Sequence, residues 1–446
     1  MHKSIKVSEF LHRVKEPVEL QPEQEYSLVT IKVHHRGVTL RNKTKGKLIG
    51  SKMHRISKGQ FILSGIDARH GAFGIVPDEL DGAIVTNDFW YFDIDETKVK
   101  RDFFYWLTNT PIFLNACIKS SQGVTQRVRL QAKLFFDFEF RFPPLEEQEN
   151  FLKKIQHADQ YLSLLRVELN KQEKYVSQLK QAILQEAIAG QLTAEWRTEK
   201  PIQKGNPDTD AAALLAKIKA EKQRLIADGK LKKETKQESI LETNLQIPDT
   251  WENPFLGDIT NQITDGTHQT PSYVNSGKTF LSAQNVKPFR FIPANHRYIT
   301  EQAFIDYRKN RIPEKGDLLI ARVGAGIGET AVLDQDIEFA FYVSLSLVKV
   351  FKELTNSDYL TIVCNSPYGV QYAKGNVSST GTSAGNYNLG RIRSLKIPLP
   401  PLAEQKVIVE KVDKLMNIID QLEQQIKHRK QLAEDLMQTI LREAFE

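Results

Sequence analysis

Cysteine is nearly absent: the 446-residue chain has two, Cys117 and Cys364. So far apart, they build neither a zinc spacing nor a disulfide framework, and a reducing compartment is the simpler reading. No apolar run reaches the roughly 18 residues that a membrane helix needs. The opening MHKSIKVSEF lacks the apolar core of a signal peptide. The chain reads as soluble and cytoplasmic. Catalytic patterns are also missing. There is no His-Glu-x-x-His, no Gly-x-Ser-x-Gly and no P-loop. An amino-methyltransferase would carry Asn-Pro-Pro-aromatic or Asp-Pro-Pro-Tyr; Asn253-Pro254-Phe255 lacks the second proline.

Two looser patterns are present and carry little. Gly324-Ala325-Gly326-Ile327-Gly328 mimics a nucleotide-binding loop, but no helix opens after it. Asp78 with Glu96 and Lys98 satisfies a permissive nuclease pattern. Asp78-Glu79-Leu80-Asp81-Gly82 reads better as a surface turn.

What is there is ordinary globular composition, 40% apolar and 26% charged. The net charge of +6 is too mild to announce nucleic acid by itself. An internal repeat sets the organisation. PPLEEQ at 143–148 returns as PPLAEQ at 400–405, and the match continues without a gap. Leu165 falls on Leu422, Leu179 on Leu436, and Ile183-Leu184 on Ile440-Leu441. The boundaries follow: a globular unit over 1–142, a long helix over 143–190, a connector over 191–250, a second globular unit over 251–398 and a second long helix over 399–446. Residues 1–141 hold 22 basic and 16 acidic side chains, and residues 251–398 hold 15 and 13, so the positive excess lies in the globular units.

Each helix carries apolar residues at alternating steps of three and four. The first has Ile155, Leu162, Leu165, Leu169, Leu179 and Ile183; the second has Val412, Ile419, Leu422, Ile426, Leu436 and Ile440. Two matched seams invite an antiparallel coiled coil, because the connector is long enough to reverse direction. The alternative is that each helix packs on its own globular unit. About 45 residues would span roughly 65 Å. Gly190 is a plausible stop for the first helix. In the connector, Asp210 can cap a short helix through Ile226 that Gly229 ends. Lys230, Lys232, Lys233 and Lys236 read as a solvated face.

Both globular units mix short β-type runs with helical stretches, near 97–118 and 356–374, which predicts an α+β fold. From Lys32 to Lys58 there are nine basic residues and no acidic one. Arg36, Arg41, Lys43, Lys45, Lys47 and Arg55 are the candidate phosphate contacts there; the competing reading is a solvated face. Arg290 and Arg322 are the candidates in the second unit. Residues 264–273 and 378–388 are rich in hydrogen-bonding side chains and suit base edges or plain turns. Base-reading candidates are Arg69 and His70, then Thr267, His268, Ser379, Thr382 and Asn386.

Two polar-basic units, each followed by a helix that opens with PPL-x-EQ, resemble the specificity subunit of type I restriction-modification systems. ILQEAIAGQLTAEWR (183–197), LLAKIKAEKQRLIADGKLKK (214–233), the entry from Ile247 through Trp251 to Ile259, and DGTHQTP (265–271) are similar to that family too. The first unit departs from it, having no tryptophan-led entry like that at Trp251. The resemblance implies two α+β target recognition domains separated by two long antiparallel coiled-coil helices, each domain reading half of a bipartite site in double-stranded DNA. The helices would act as a ruler for the spacer and as a docking surface for modification subunits, two in number. Those methyltransferase subunits would carry S-adenosylmethionine, and a restriction subunit would use ATP and Mg2+. This chain would bind no cofactor or metal and catalyse nothing. A self-contained DNA enzyme and a scaffold without a DNA role are the rival classes.

Overall fold

The computed structural model describes residues 2–123, 128–233, 244–378 and 385–445. The chain forms two compact units, Met1–Lys171 with Ile426–Glu446, and Gln172–Gln425. Each is α+β, as the sequence predicts. Lys236, Ser379 and Thr382 lie outside the described residues.

In the first unit, Leu11–Arg13, Phe89–Ile94, Phe61–Ser64 and Phe73–Ile75 form an antiparallel sheet in that order. A five-stranded mixed sheet runs Pro17–Val18, Met53–Arg55, Ile84–Thr86, Glu25–Ile31, Val38–Lys45. The core is phenylalanine. Phe61 meets Phe104 edge-on at 4.9 Å, and Phe73 meets Phe113 at 4.9 Å. Edge-on contacts suit the ring quadrupole, and each large ring removes much apolar area from water. The 97–118 stretch is two helices, Arg101–Thr108 and Pro111–Lys119. The second starts on its proline, which tolerates the first helical position because its missing N–H has no helical partner there.

The second unit repeats this plan. Thr260–Asp265, Leu345–Val350, Leu318–Ala321 and Thr330–Val332 form its antiparallel sheet. A smaller sheet holds Tyr273–Val274, Arg297–Ile299, Lys278–Leu281 and Ala340–Phe341. Helices Ser357–Asn365 and Pro367–Gly375 again break at a proline. The connector helix Ala211–Ala227 is capped by Asp210, whose carboxylate accepts from Ala212 and Ala213 N–H. Lys222 on that helix donates to the carbonyls of Gly257 and Thr260 at 2.5 and 2.8 Å, so the connector is built into this unit.

The repeated hexapeptide explains how each long helix is fixed. Gln148 is fully buried; its amide donates to Pro143 O, and its oxygen accepts from Lys100 N–H just before helix Arg101–Thr108. Gln405, also fully buried, donates to Pro400 O and accepts from Asn356 N–H before helix Ser357–Asn365. One side chain thus closes the two-proline turn and satisfies an N–H that would otherwise lie orphaned in the interior. The two copies differ one residue earlier. Glu404 is buried and bonded to Arg197 at 2.6 Å, Thr193 at 2.6 Å and the Trp251 indole at 2.9 Å. Glu147 in the same place is exposed.

The long helices are Leu145–Ile188 and Leu402–Phe445. They run antiparallel in both units. In the first, Lys430 donates to Asn170 at 2.8 Å, while Phe445 packs at 4.6 Å on Phe103. In the second, Lys180 reaches Asp420 and Glu423 at 3.1 and 2.9 Å, and Lys411 reaches the Leu192 carbonyl. The seam differs from expectation. Ile155, Leu162, Leu169, Ile183, Val412, Ile419 and Ile426 are buried, one residue per heptad. Leu179, Leu422 and Leu436 are exposed, and Leu165 and Ile440 are half-buried. Away from the first unit's core, against which Ala158, Leu165 and Ile440 also pack, the helix pair covers only one of the two apolar rows.

Candidate nucleic-acid interface

In the first unit residues 38–45 of the basic run form the outer strand of the five-stranded sheet, while Arg55 lies on the inner strand Met53–Arg55. Val38–Lys45 pairs with Glu25–Ile31, and the register slips so that Arg41 is the unmatched residue of a bulge. Strand alternation puts Lys43 and Lys45 on one face, while the bulge breaks the alternation at Arg41. The run has no acid of its own, but acids from outside it return in space. Glu23 holds Lys45 at 2.9 Å and Lys47 at 2.8 Å, and Glu16 stands 3.6 Å from Arg55. The hydrogen bonds from Lys47 and then Lys45 hold the Glu23 carboxyl below its ordinary pKa. Three of the six predicted phosphate contacts are therefore partly neutralised. Arg36, Arg41 and Lys43 are exposed and make no ion pair among the described residues.

The loop that turns this hairpin brings in the other candidates. His34 and His35 take φ of 61° and 57°. Their N–H groups donate to His70 O and Gly71 O at 2.8 and 3.0 Å. Arg69 and His70 thus lie beside the loop that carries Arg36, although 33 positions separate them in sequence. Arg69 donates to the His70 ring at 3.0 Å. His35 itself stacks edge-on against Phe73, and partial desolvation of its ring lowers its pKa. An open concavity of about 670 Å³ adjoins the hairpin and is lined by Arg41, Asn42, Thr44, Leu48, Ser51 and Phe89 among others.

In the second unit two candidates are corrected. Arg322 is 3% exposed; its guanidinium holds Asp265 at 2.7 Å, Val343 O at 3.0 Å and Tyr387 O at 3.0 Å. Burial lowers its pKa and Asp265 opposes the shift. It is a structural tie with no face left for a phosphate. Thr267 is 6% exposed, and its hydroxyl accepts from Gln269 N–H inside its own turn. His268 is 72% exposed, with Nε2 held 3.0 Å from Asp265. Asp265 therefore links a buried arginine to an exposed histidine. Asn386 bridges to both Val323 and Ser378, and Arg290 is exposed on the short hairpin Val286–Lys287 with Arg290–Phe291.

The glycine run Gly324–Gly328 joins two antiparallel strands and is followed by a strand, so it offers no helix N-terminus to a phosphate. Lys98 of the nuclease-like pattern is engaged by Asp95 at 3.4 Å and by the Glu9 carbonyl. No cluster of three or more metal-ligating side chains occurs among the described residues. Cys117 and Cys364 are free and buried, and burial pushes the Cys364 thiol up to about 12, which keeps it protonated and unreactive. No helix among the described residues is long and apolar enough to cross a membrane.

The long helices carry a second surface, which the seam assignment missed. Tyr161, Leu164, Val167 and Tyr175 on the first, and Ile418 and Leu432 on the second, are exposed along with Leu179, Leu422 and Leu436. Its signal was in the repeat: Tyr161 aligns with Ile418, and Tyr175 with Leu432.

The model of the type I restriction modification DNA specificity domain matches residues 14–175 and 248–429. The EcoBI specificity subunit of Escherichia coli is 22% identical over 79% of this chain and 66% of its own length. The StySPI specificity subunit of Salmonella potsdam is 31% identical over 31% of this chain and 29% of its own. The chain thus spans no more than about two thirds of either relative. Two solved chains share the fold. One comes from work on complex assembly and conformational transition of the type I R-M system, with TM-score 0.67 and 16% identity, covering 100% of this chain and 97% of that one. The other is the HsdS subunit from Thermoanaerobacter tengcongensis, with TM-score 0.53 and 16% identity, covering 100% and 96%.

Proposed function

The chain belongs to the type I restriction-modification DNA specificity family, and from that premise we propose that it is a DNA-recognition subunit that works in the cytoplasm within a larger complex. Each unit reads one half of a split site in double-stranded DNA. The two long helices set the undefined spacer between the halves. Their exposed apolar rows receive methyltransferase subunits, two by the symmetry of the repeat, and a restriction subunit completes the assembly. S-adenosylmethionine, ATP and Mg2+ belong to those partners, and this chain supplies recognition without chemistry.

The observation that carries the reading is the hairpin edge of the first unit. Arg36, Arg41 and Lys43 stand exposed, without acidic partners among the described residues, beside Arg69 and His70. An edge strand rich in lysine also discourages sheet-to-sheet aggregation. That role asks for charge but not for the adjoining groove and histidines. The full-length chain should bind duplex DNA with an affinity that falls as salt rises, because phosphate contacts release counterions. Replacing Arg36, Arg41 and Lys43 by alanine should reduce the salt slope by about three, roughly one per contact. An unchanged slope would sink the assignment of this edge. Methylation mapping in a genome that carries the system tests the rest, and a contiguous motif would contradict the split site.

A further inference from the structure

The second unit holds an exposed aromatic side chain on unfavourable backbone. Lys287 pairs with Arg290, so Pro288 and Phe289 alone make the turn between their strands. Proline fixes φ near −65°, and Phe289 follows with φ of 63°. Proline then a positive φ is the pattern of a type II turn, which favours glycine at the second place. A bulky residue there is an outlier, and outliers of this kind point toward function when packing does not demand them. Packing does not demand this one. Phe289 is 43% exposed and stands outside the apolar clusters of its unit. Its backbone N–H donates to Thr330 O at 3.0 Å.

The surroundings suit a nucleic acid. Glu329, next to Thr330, holds Lys287 at 3.3 Å. Val323, at the far end of the same glycine-rich turn, bridges to Asn386. Phe289 and Asn386 are thus tied to one turn from its two ends. Between them Gly324 has open space on its Cβ side, which lets another backbone approach closely. Asn386 Oδ1 is buried without a hydrogen-bond partner among the described residues. Arg290, exposed beside the ring, makes no ion pair among the described residues.

We propose that Phe289 is a specificity-determining wedge: its ring packs into a base step of the half-site read by the second unit, with Arg290 on a flanking phosphate. The proposal rests on the DNA-recognition reading and names a residue within it. Apolar wedges partly unstack the step they enter. Pyrimidine–purine steps yield most easily, so the wedge selects for them without contacting a base edge.

The test uses the full-length chain, duplexes it selects from a random-sequence library, and the unselected library itself. Phe289→Gly should leave the unfolding midpoint unchanged or raised, because glycine accepts positive φ. It should weaken binding to selected duplexes about five- to a hundredfold, the range of one base-stacking contact, and leave binding to the unselected library alone. Phe289→Trp should keep wild-type affinity. Equal affinity of Phe289→Gly and wild type, or equal loss on both DNA pools, overturns the wedge. A lowered midpoint for Phe289→Gly overturns it too, since the ring would then be structural. A wild-type chain that selects no sequence overturns the proposed function along with it.

Discussion

The side-chain oxygen of Gln148 accepts a hydrogen bond from the backbone N–H of Lys100 at 2.9 Å. The same glutamine donates to Pro143 O at 2.9 Å, so one buried amide joins the start of the long helix to the start of helix Arg101–Thr108. Gln148→Leu keeps the volume and removes these bonds, together with a third to Lys98 O at 3.3 Å. Each buried group left unsatisfied costs about 1–3 kcal/mol. The urea midpoint of the variant should drop accordingly, and Gln405→Leu should do the same for the second unit. Unaltered midpoints would show that the clamp contributes nothing.

Glu23 restrains Lys45 and Lys47. Glu23→Gln frees both cations without removing either. Affinity for unselected duplex DNA should rise, and the salt slope should steepen by up to about two. Competition titration at several salt concentrations measures both, and a fall in affinity would contradict the pairing.

Arg322 ties Asp265 to two carbonyls in the interior of the second unit. Arg322→Met leaves the carboxylate without its buried partner. Breaking such a pair costs on the order of 3 kcal/mol. The loss should appear in unfolding experiments without DNA. A variant that is fully stable yet defective in DNA binding would return Arg322 to the contact surface.

His35 is exposed overall, yet its pKa is lowered, chiefly by partial desolvation of its ring; repulsion from His34 adds to this, and a backbone hydrogen bond at Thr108 opposes it. The folded unit therefore favours the neutral ring. Its contribution to stability is complete above the unfolded value, about 6.5, and is lost as pH falls through that value toward the lower folded one. The unfolded chain takes up the proton first. The first unit should be less stable at pH 5.5 than at pH 7.5, and His35→Gln should flatten that difference. An identical slope in the variant would exclude His35 as the source.

Tyr161 and Ile418 are exposed at matching positions of the two helices. Tyr161→Glu and Ile418→Glu should each keep the unfolding midpoint, since exposed substitutions commonly shift stability by less than about 0.5 kcal/mol. Co-purification of methyltransferase subunits should fall by half with either variant and disappear with both. Full retention in the double variant would place the docking surface elsewhere.

Local patterns were the legible part of this molecule. The long helices, the Asp210 cap and the stop at Gly190 all depend on neighbours in sequence. Heptad spacing identified which helix residues are apolar, yet it could not say which row a partner helix covers. Leu179 and Leu436 keep the right period and remain exposed. The electrostatic errors have a common cause. Glu16 and Glu23 precede the basic run in the chain and meet it only through the folded sheet. Arg322 looked available because Asp265 lies 57 positions away. Phe289 carried no sequence signal beyond a proline before it, since only the backbone angle sets it apart.

The boundary between the compact units falls inside both long helices, at Lys171–Gln172 and Gln425–Ile426. Gene exchange that swaps one specificity for another would therefore do least damage with crossovers in the middle of each helix. A crossover at Pro143 or Pro400 would part Gln148 from Lys100, or Gln405 from Asn356, and force two foreign surfaces to match. Mid-helix crossovers inherit each clamp intact, and they join the chains where helix pairs need only keep their heptad phase.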